Sequence, residues 1–142
     1  MSTFQLKVKK LRNSAVLPTR THATDAGVDL YCCDSVTINP GQLVKIGTGI
    51  AYEIPEGHVG LVWDKSSIGG KGLKTFGGVV DAGYRGELFV VIQNLSEVSY
   101  AFEAGHKIAQ MLVQKIELPD IVEVEELSDT ARGEGAFGST GK

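Results

Sequence analysis

The reactive chemistry in this sequence centres on Asp81, set within GGVVDAGYRGEL from Gly77 to Leu88. A carboxylate held on rigid backbone can reach a ligand. Val79-Val80 on one side and Leu88-Phe89-Val90-Val91-Ile92 on the other are β-branched and aromatic, which is strand chemistry. The intervening DAGYRG has tight-turn residues, with Gly83 and Gly86 free to take positive φ. The spacing therefore predicts Asp81 at a hairpin tip. A turn Asp also commonly bonds only its own backbone, so the functional reading depends on other reactive groups. Those stand near the C-terminus, as Arg132, Phe137, Ser139 and Thr140 in RGEGAFGSTGK. A guanidinium suits a phosphate, an aromatic ring suits a base, and hydroxyls and bare backbone N–H groups suit anionic oxygens. With four glycines and one aromatic residue, this stretch cannot pack by itself. It is either a frayed end or a lid that orders over a ligand and excludes water.

Other groups that could carry chemistry are sparse. His22, His58 and His106 are scattered, without the spacing of zinc ligands. Cys32 and Cys33 are neighbours, a placement that seldom closes an unstrained disulfide, and no other cysteine is present. They read as small apolar strand residues kept reduced in a cytoplasm. The net charge of −3 with no basic face gives no support to a long nucleic-acid partner, whereas a small anion needs only a local pocket. The first ten residues lack an apolar signal core and no apolar run reaches membrane-spanning length. The expectation is a cytoplasmic protein with no membrane partner.

Short strands must position these groups. A length of 142 residues suits one domain, and 18 glycines favour turns over long helices. Phe4, Leu6 and Val8 alternate with Gln5, Lys7 and Lys9, a half-exposed strand over Phe4 to Leu11. Asn13 to Thr24 reads as a loop. A turn at Asp25-Ala26-Gly27 leads into a strand through Val28, Leu30 and Cys32, then Val36 to Ile38 and a turn at Asn39-Pro40-Gly41. Leu43 to Ile54 is another strand, bent at Gly47 or Gly49. After Pro55-Glu56-Gly57, His58 to Asp64 is a strand with Val59, Leu61 and Trp63 pointing inward. Asp64 to Gly70 predicts one short helical turn opening near a serine cap. Later come Val98 to Phe102, a turn at Glu103-Ala104-Gly105 and a strand through Ile108, Met111 and Val113. Ile116 to Leu127 alternates in strand fashion, its acids forming a solvated face. No segment sustains a 3.6-residue period, so the fold class is all-β: a sandwich, barrel or jelly roll with one short helix.

Five segments in order resemble the homotrimeric dUTPases, the deoxyuridine triphosphate nucleotidohydrolases. They are Ala26-Gly27-Val28-Asp29-Leu30, Lys65-Ser66-Ser67, Gly78 to Asp81 continuing through Tyr84-Arg85-Gly86, Gly105 to Gln110, and Arg132-Gly133 through Phe137-Gly138-Ser139-Thr140-Gly141. The resemblance implies a jelly-roll or distorted β-barrel domain over residues 1–142, of which 128–142 form a flexible arm. It implies a homotrimer with each active site built from three subunits. The implied reaction is Mg²⁺-dependent hydrolysis of dUTP to dUMP and pyrophosphate, lowering dUTP and supplying dUMP for thymidylate synthesis. Carried onto these residues, Asp81 orients and deprotonates the water attacking the α-phosphorus. Lys65, Ser66, Ser67 and Gln110 hold phosphate oxygens, and backbone near Gly78 and Phe89 matches the uracil edge. A narrow slot refuses the methyl group of thymine, and Tyr84 beneath the sugar refuses a 2′-hydroxyl. Phe137 covers the uracil while Arg132, Ser139 and Thr140 meet phosphates from another subunit. Thr75, Val79, Val80 and Gly138 complete the implied substrate-binding set. Mg²⁺ is implied to be held mainly by the triphosphate and waters. Asp29 supports the phosphates or the metal's water shell, or else is a structural Asp at a strand end.

Some positions depart from the family pattern. Lys65-Ser66-Ser67 stands for the usual Arg-Ser-Gly, which keeps the charge but loses the bidentate fork. Gly83 stands where an acid is common, Lys107 where arginine is usual and Ala136 where glycine is usual. The related dCTP deaminases carry Arg-Ser-Ser at the second segment, with an added arginine and glutamate as acid/base equipment. Gly70 and Val91 occupy the corresponding positions here. A non-catalytic, nucleotide-binding regulatory trimer is the remaining alternative, opposed by the intact Asp81 and arm.

Overall fold

β-branched and apolar stretches broken by Gly and Pro turns leave the chain little choice but short antiparallel strands. In the computed structural model, residues 4–141 are described; Met1 to Thr3 and Lys142, the outermost parts of the expected domain and arm, lie outside the described residues. Three sheets form. One has the order β1 (Lys7–Lys10), β4 (Leu43–Glu53), β8 (Glu87–Asn94), β6 (Leu73–Phe76). The second has the order β2 (Val28–Tyr31), β10 (Lys107–Lys115), β5 (His58–Trp63), β7 (Val79–Val80). The third pairs β3 (Val36–Ile38) with β9 (Tyr100–Phe102). Every strand pairing is antiparallel, and α1 (Ser66–Gly69) is one helical turn. The fold is jelly-roll-like, as expected.

Leu30, Ile38, Ile50, Ile54, Ile92, Ile108 and Met111 are fully buried in the common core. Each such side chain contributes on the order of 2 kcal/mol relative to exposure. Thr48 and Asn94 are buried with them and are satisfied: the Thr48 hydroxyl donates to the Leu88 carbonyl at 2.6 Å, and Asn94 Nδ2 donates to Ile38 O and Val98 O. The expected bend in the fourth strand is present. Its register with β8 shifts between Gly47 and Ala51, and Gly49 has φ +69.

Several local expectations are corrected. Val79-Val80 pairs with β5 whereas Glu87 to Asn94 pairs with β4 and β6, so residues 81–86 form an arch between two sheets and not a hairpin. The positive φ values lie at Gly77 and Gly78, ahead of Asp81, and neither Gly83 nor Gly86 has one. On β5 Val59 is buried as expected, but Gly60 and Val62 are the residues turned to the core cluster, Leu61 is half-buried and Trp63 is 55% exposed. A Cβ on Gly60 would lie 3.0 to 3.2 Å from Met111, Val80 and Ile54, so a glycine occupies a core position that hydrophobicity alone cannot reveal. The cap of α1 is Lys65, with no side-chain cap bond. Ile116 to Leu127 forms no strand, and Leu118, Ile121, Val122, Val124 and Leu127 are exposed because no neighbouring strand within the chain pairs with them. The strand from Val28 ends at Tyr31, just before the two cysteines, which are buried and free. No helix among the described residues is long and apolar enough to cross a membrane.

Candidate active site

The arch begins where β7 leaves the sheet. Gly78, at φ +95, lies against β5: its carbonyl accepts from the Val62 N–H at 2.8 Å, and a Cβ there would come within 2.9 Å of the Val62 carbonyl. That close approach turns the chain so that Val80 is buried, Val79 faces outward and Asp81 emerges into solvent. The Tyr84 N–H then donates to the Asp81 carbonyl at 3.1 Å, closing a four-residue turn that fixes the backbone beneath the carboxylate.

Tyr84 is pinned twice. Its hydroxyl donates to the Glu87 carbonyl at 2.7 Å, and its ring covers Gly86 so closely that a Cβ there would lie 2.5 Å from the hydroxyl oxygen. Arg85 Nη1 donates to the carbonyls of Ala82 and Tyr84, and Nη2 reaches Glu53 on β4. A cleft of about 230 Å³ results, lined by Val62, the Gly78–Asp81 segment, Tyr84 and the Glu87–Phe89 segment. Gly78, Val79, Val80, Asp81, Tyr84 and Phe89 are thus brought together. The Phe89 ring is half-exposed with Lys45 Nζ 4.4 Å from its centroid.

A second cluster forms just beyond the C-terminal end of β5. Asp29 on β2 is buried, and its two oxygens are divided between Lys65 Nζ at 2.5 Å and Lys107 Nζ at 3.0 Å. Burial acts to raise the pKa of Asp29, but the two ammonium groups outweigh it and hold the carboxyl below its usual range. Gln110 faces Asp29 across one strand pair and Trp63 across the other; its Nε2 donates to the Asp64 carbonyl at 2.9 Å. Gly27 makes room for that amide, since a Cβ would lie 2.5 Å from Gln110 Oε1. Ser66 and Ser67 are exposed on α1 beside Lys65. Thr75 is buried, its N–H donating to Asp64 Oδ1 at 2.8 Å, which places it behind the β5–α1 junction and outside the cleft lining. Asp64 also meets Lys74; desolvation opposes its charge, and the contacts with Thr75 and Lys74 more than offset that, lowering its pKa.

The arm is the third part. Among the described residues its hydrogen bonds run within itself: Arg132 Nε donates to Gly135 O, Gly135 N to Arg132 O, and Ser139 N to Ala136 O. Arg132, Gly138, Ser139 and Thr140 line a concavity of the arm itself, and Phe137 is fully exposed at φ +49. A single chain therefore gathers the candidate residues into three groups and does not join them. No three acidic, imidazole or thiol groups converge on a metal position among the described residues. The supports beneath the arch, Arg12, Thr48 and Glu87, were not singled out from the sequence. Arg12 and Glu87 are 75 positions apart, so no local signal could join them.

The comparisons agree with one another. The dUTPase family profile matches residues 13–141. A deoxyuridine 5'-triphosphate nucleotidohydrolase of Corynebacterium diphtheriae is 45% identical over 141 residues, covering 94% of this chain and 91% of its own. One from Clostridium tetani is 41% identical, with 100% of both chains covered. The structure of the dUTPase of Staphylococcus bacteriophage 80alpha with dUPNHPP superposes with a TM-score of 0.94 at 35% identity, over 99% of this chain and 100% of that one. A mutant dUTPase from phage phi11 of S. aureus, described for its coordination of a structural Mg(II) ion, gives a TM-score of 0.83 at 30% identity over 89% and 100%.

Proposed function

The chain belongs to the dUTPase family, and from that membership we propose that it hydrolyses dUTP, taken with Mg²⁺, to dUMP and pyrophosphate. The observation that carries the mechanism is the exposed Asp81 carboxylate on a braced turn at the mouth of the cleft. Asp81 accepts a proton from a water whose oxygen bonds to the α-phosphorus. The bond from that phosphorus to the α–β bridging oxygen breaks, and pyrophosphate leaves with the electron pair. Mg²⁺ bound with the triphosphate neutralises its oxygens, which is the chemistry it supplies.

The base enters the cleft between Gly78 and Phe89, where backbone groups read the uracil edge. An exchanged donor and acceptor, as on cytosine, would leave buried groups unpaired. The slot is too narrow for thymine's methyl group. Tyr84, held by Glu87 and Gly86, is a rigid floor for a deoxyribose and leaves no space for a 2′-hydroxyl. Lys65, Ser66, Ser67 and Gln110 receive the phosphates; Asp29 presents Lys65 to them and would support the water shell of a bound Mg²⁺. Arg132, Phe137, Gly138, Ser139 and Thr140 close over the nucleotide from another subunit.

A homotrimer accounts for the three separate groups, since each can complete a site on a neighbouring copy. The exposed Trp63, Val79, Ile121 and Leu127 supply apolar surface for such contacts. The free thiols of Cys32 and Cys33 fit a cytoplasmic setting.

The test is product analysis after incubation with Mg²⁺ and, separately, dUTP, dCTP, dTTP and UTP. Pyrophosphate and dUMP from dUTP alone are expected. Deaminated product from dCTP would reassign the chemistry, and dUTP bound without turnover would indicate a regulatory binder.

A further inference from the structure

The cleft is fastened from below by one strand. On β4, the Thr48 hydroxyl donates to Leu88 O at 2.6 Å and the Lys45 ammonium lies over the Phe89 ring. The strongest fastening crosses β4 from the loop after β1. Arg12 Nη1 and Nη2 donate to Glu87 Oε1 and Oε2 at 3.0 and 3.1 Å, a parallel two-pronged contact. Arg12 Nε donates to Cys33 Sγ at 3.3 Å, and Ser14 Oγ lies 3.1 Å from the same sulfur. The guanidinium is thus held along both of its donor edges.

The backbone is shaped to admit this contact. A Cβ on Gly47 would lie 2.5 Å from Glu87 Oε2 and 3.0 Å from Arg12 Nη2; a Cβ on Gly49 would lie 2.8 Å from Cys33 Sγ and 3.5 Å from Arg12 Nε. The register shift of β4 falls at these glycines. An exposed ion pair ordinarily contributes little, because two flexible side chains must be ordered in water. Here the Glu87 side chain is only 12% exposed, and Glu87 both lines the cleft and accepts the Tyr84 hydroxyl through its main-chain carbonyl. The residue that Arg12 grips is the residue that sets the height of the Tyr84 ring.

We propose that Arg12 is a positioning residue for nucleoside selection: by clamping Glu87 it fixes Tyr84 and Phe89, and the preference for a deoxyribose over a ribose nucleotide depends on that clamp. The inference rests on the dUTP reading above and extends it to a residue outside the cleft. Lysine cannot replace the fork, since one ammonium cannot meet both carboxylate oxygens in plane while also reaching Cys33.

The test compares kcat/KM for dUTP and UTP, together with Tm, in the wild type, Arg12→Lys, Arg12→Met and the double variant Arg12→Met/Glu87→Met. In Arg12→Met the dUTP-to-UTP ratio falls about tenfold, carried by a rise in kcat/KM for UTP, because a displaced floor admits the hydroxyl it formerly excluded. Arg12→Lys falls between that variant and the wild type. The double variant removes both charges, so its Tm recovers toward wild type while the lost selectivity does not. Selectivity that returns along with Tm would show a merely structural pair and overturn the proposal, as would an unchanged ratio in Arg12→Met. If Arg12→Met fails to fold, the double variant decides alone, and wild-type selectivity in it refutes the clamp. A wild type that does not hydrolyse dUTP refutes the functional reading and this inference with it; an active wild type with an indifferent clamp refutes the inference alone.

Discussion

The arch over residues 81–86 and the arm over 128–141 are both rich in glycine, yet they use it in opposite ways. In the arch and the residues leading into it, Gly78 and Gly86 are places where something else already stands, the Val62 carbonyl in one case and the Tyr84 ring in the other, while Gly83 has open space. In the arm, Gly133, Gly138 and Gly141 have positive φ and no atom within 4 Å of where a Cβ would be, and Gly135 is crowded only by the arm's own Ser139 and Arg132. The arch is bonded to β4, β5 and β8 and needs no ligand to hold its form; the arm is bonded to itself. The base selection and water placement that we propose need preorganised geometry, which the bonded arch has. The proposed covering of the reacting centre needs a segment that arrives late, which suits the arm, whose hydrogen bonds among the described residues run within itself.

The largest expected effect comes from breaking the arch at its chemistry. Asp81→Asn preserves shape and hydrogen bonding but removes the proton acceptor, so hydrolysis falls by about 10³-fold while binding of a non-hydrolysable dUTP analogue is retained. Single-turnover rates and calorimetric titration separate the two quantities. Residual turnover near wild type would remove Asp81 as the base. Deleting residues 128–142 breaks the other side of the comparison. Turnover drops on the order of 10²-fold through loss of closure and orientation, with Tm and subunit assembly unchanged. A truncated protein that loses its assembly as well would mean the arm is structural.

A matched pair of alanines sharpens the contrast. Gly86→Ala pushes a methyl into the Tyr84 ring, costing about 1–3 kcal/mol of stability and loosening discrimination against UTP. Gly138→Ala has open space around it, so chemical denaturation finds its stability within about 0.5 kcal/mol of wild type. Its cost falls on closure alone, since φ +84 is strained for any residue with a Cβ. Equal destabilisation by both changes would erase the distinction between the two regions.

Much of this was legible in the sequence, and where legibility ended has physical causes. Most of the strands, the bend near Gly49 and the short helix are local properties and can be read from the sequence, whereas Leu73–Phe76 gives no such signal and the alternation over Ile116 to Leu127 forms no strand. The inward face of β5 is legible at Val59 but not at Gly60, which carries no side chain to mark it as core, nor at Trp63, which looks apolar wherever it points. The hairpin was misread for a different reason: DAGYRG is as suitable for an arch between sheets as for a turn within one, and only pairing with β5 on one side and β4 on the other decides it. Asp81, Tyr84 and Gln110 were recognisable as residues, whereas the clamp between Arg12 and Glu87 and the charge triangle of Asp29, Lys65 and Lys107 exist only through tertiary contact.

That triangle supplies the smallest effect and asks to which side of the comparison the phosphate cluster belongs. If it is preformed like the arch, the Asp29 carboxylate stabilises the free protein, and Asp29→Asn lowers stability at neutral pH by about 1 kcal/mol, because the two lysines remain partly solvated. The sign with pH follows from the lowered folded pKa. The contribution is complete above the ordinary Asp value of 3.8 and is lost as pH falls through the lower value of the folded state. Urea midpoints for wild type and Asp29→Asn should therefore differ at pH 7 and converge in acid. A gap that stays constant as pH falls would mean Asp29 acts through shape alone. A gap absent at every pH would place the cluster with the arm, as a site assembled only when the triphosphate arrives.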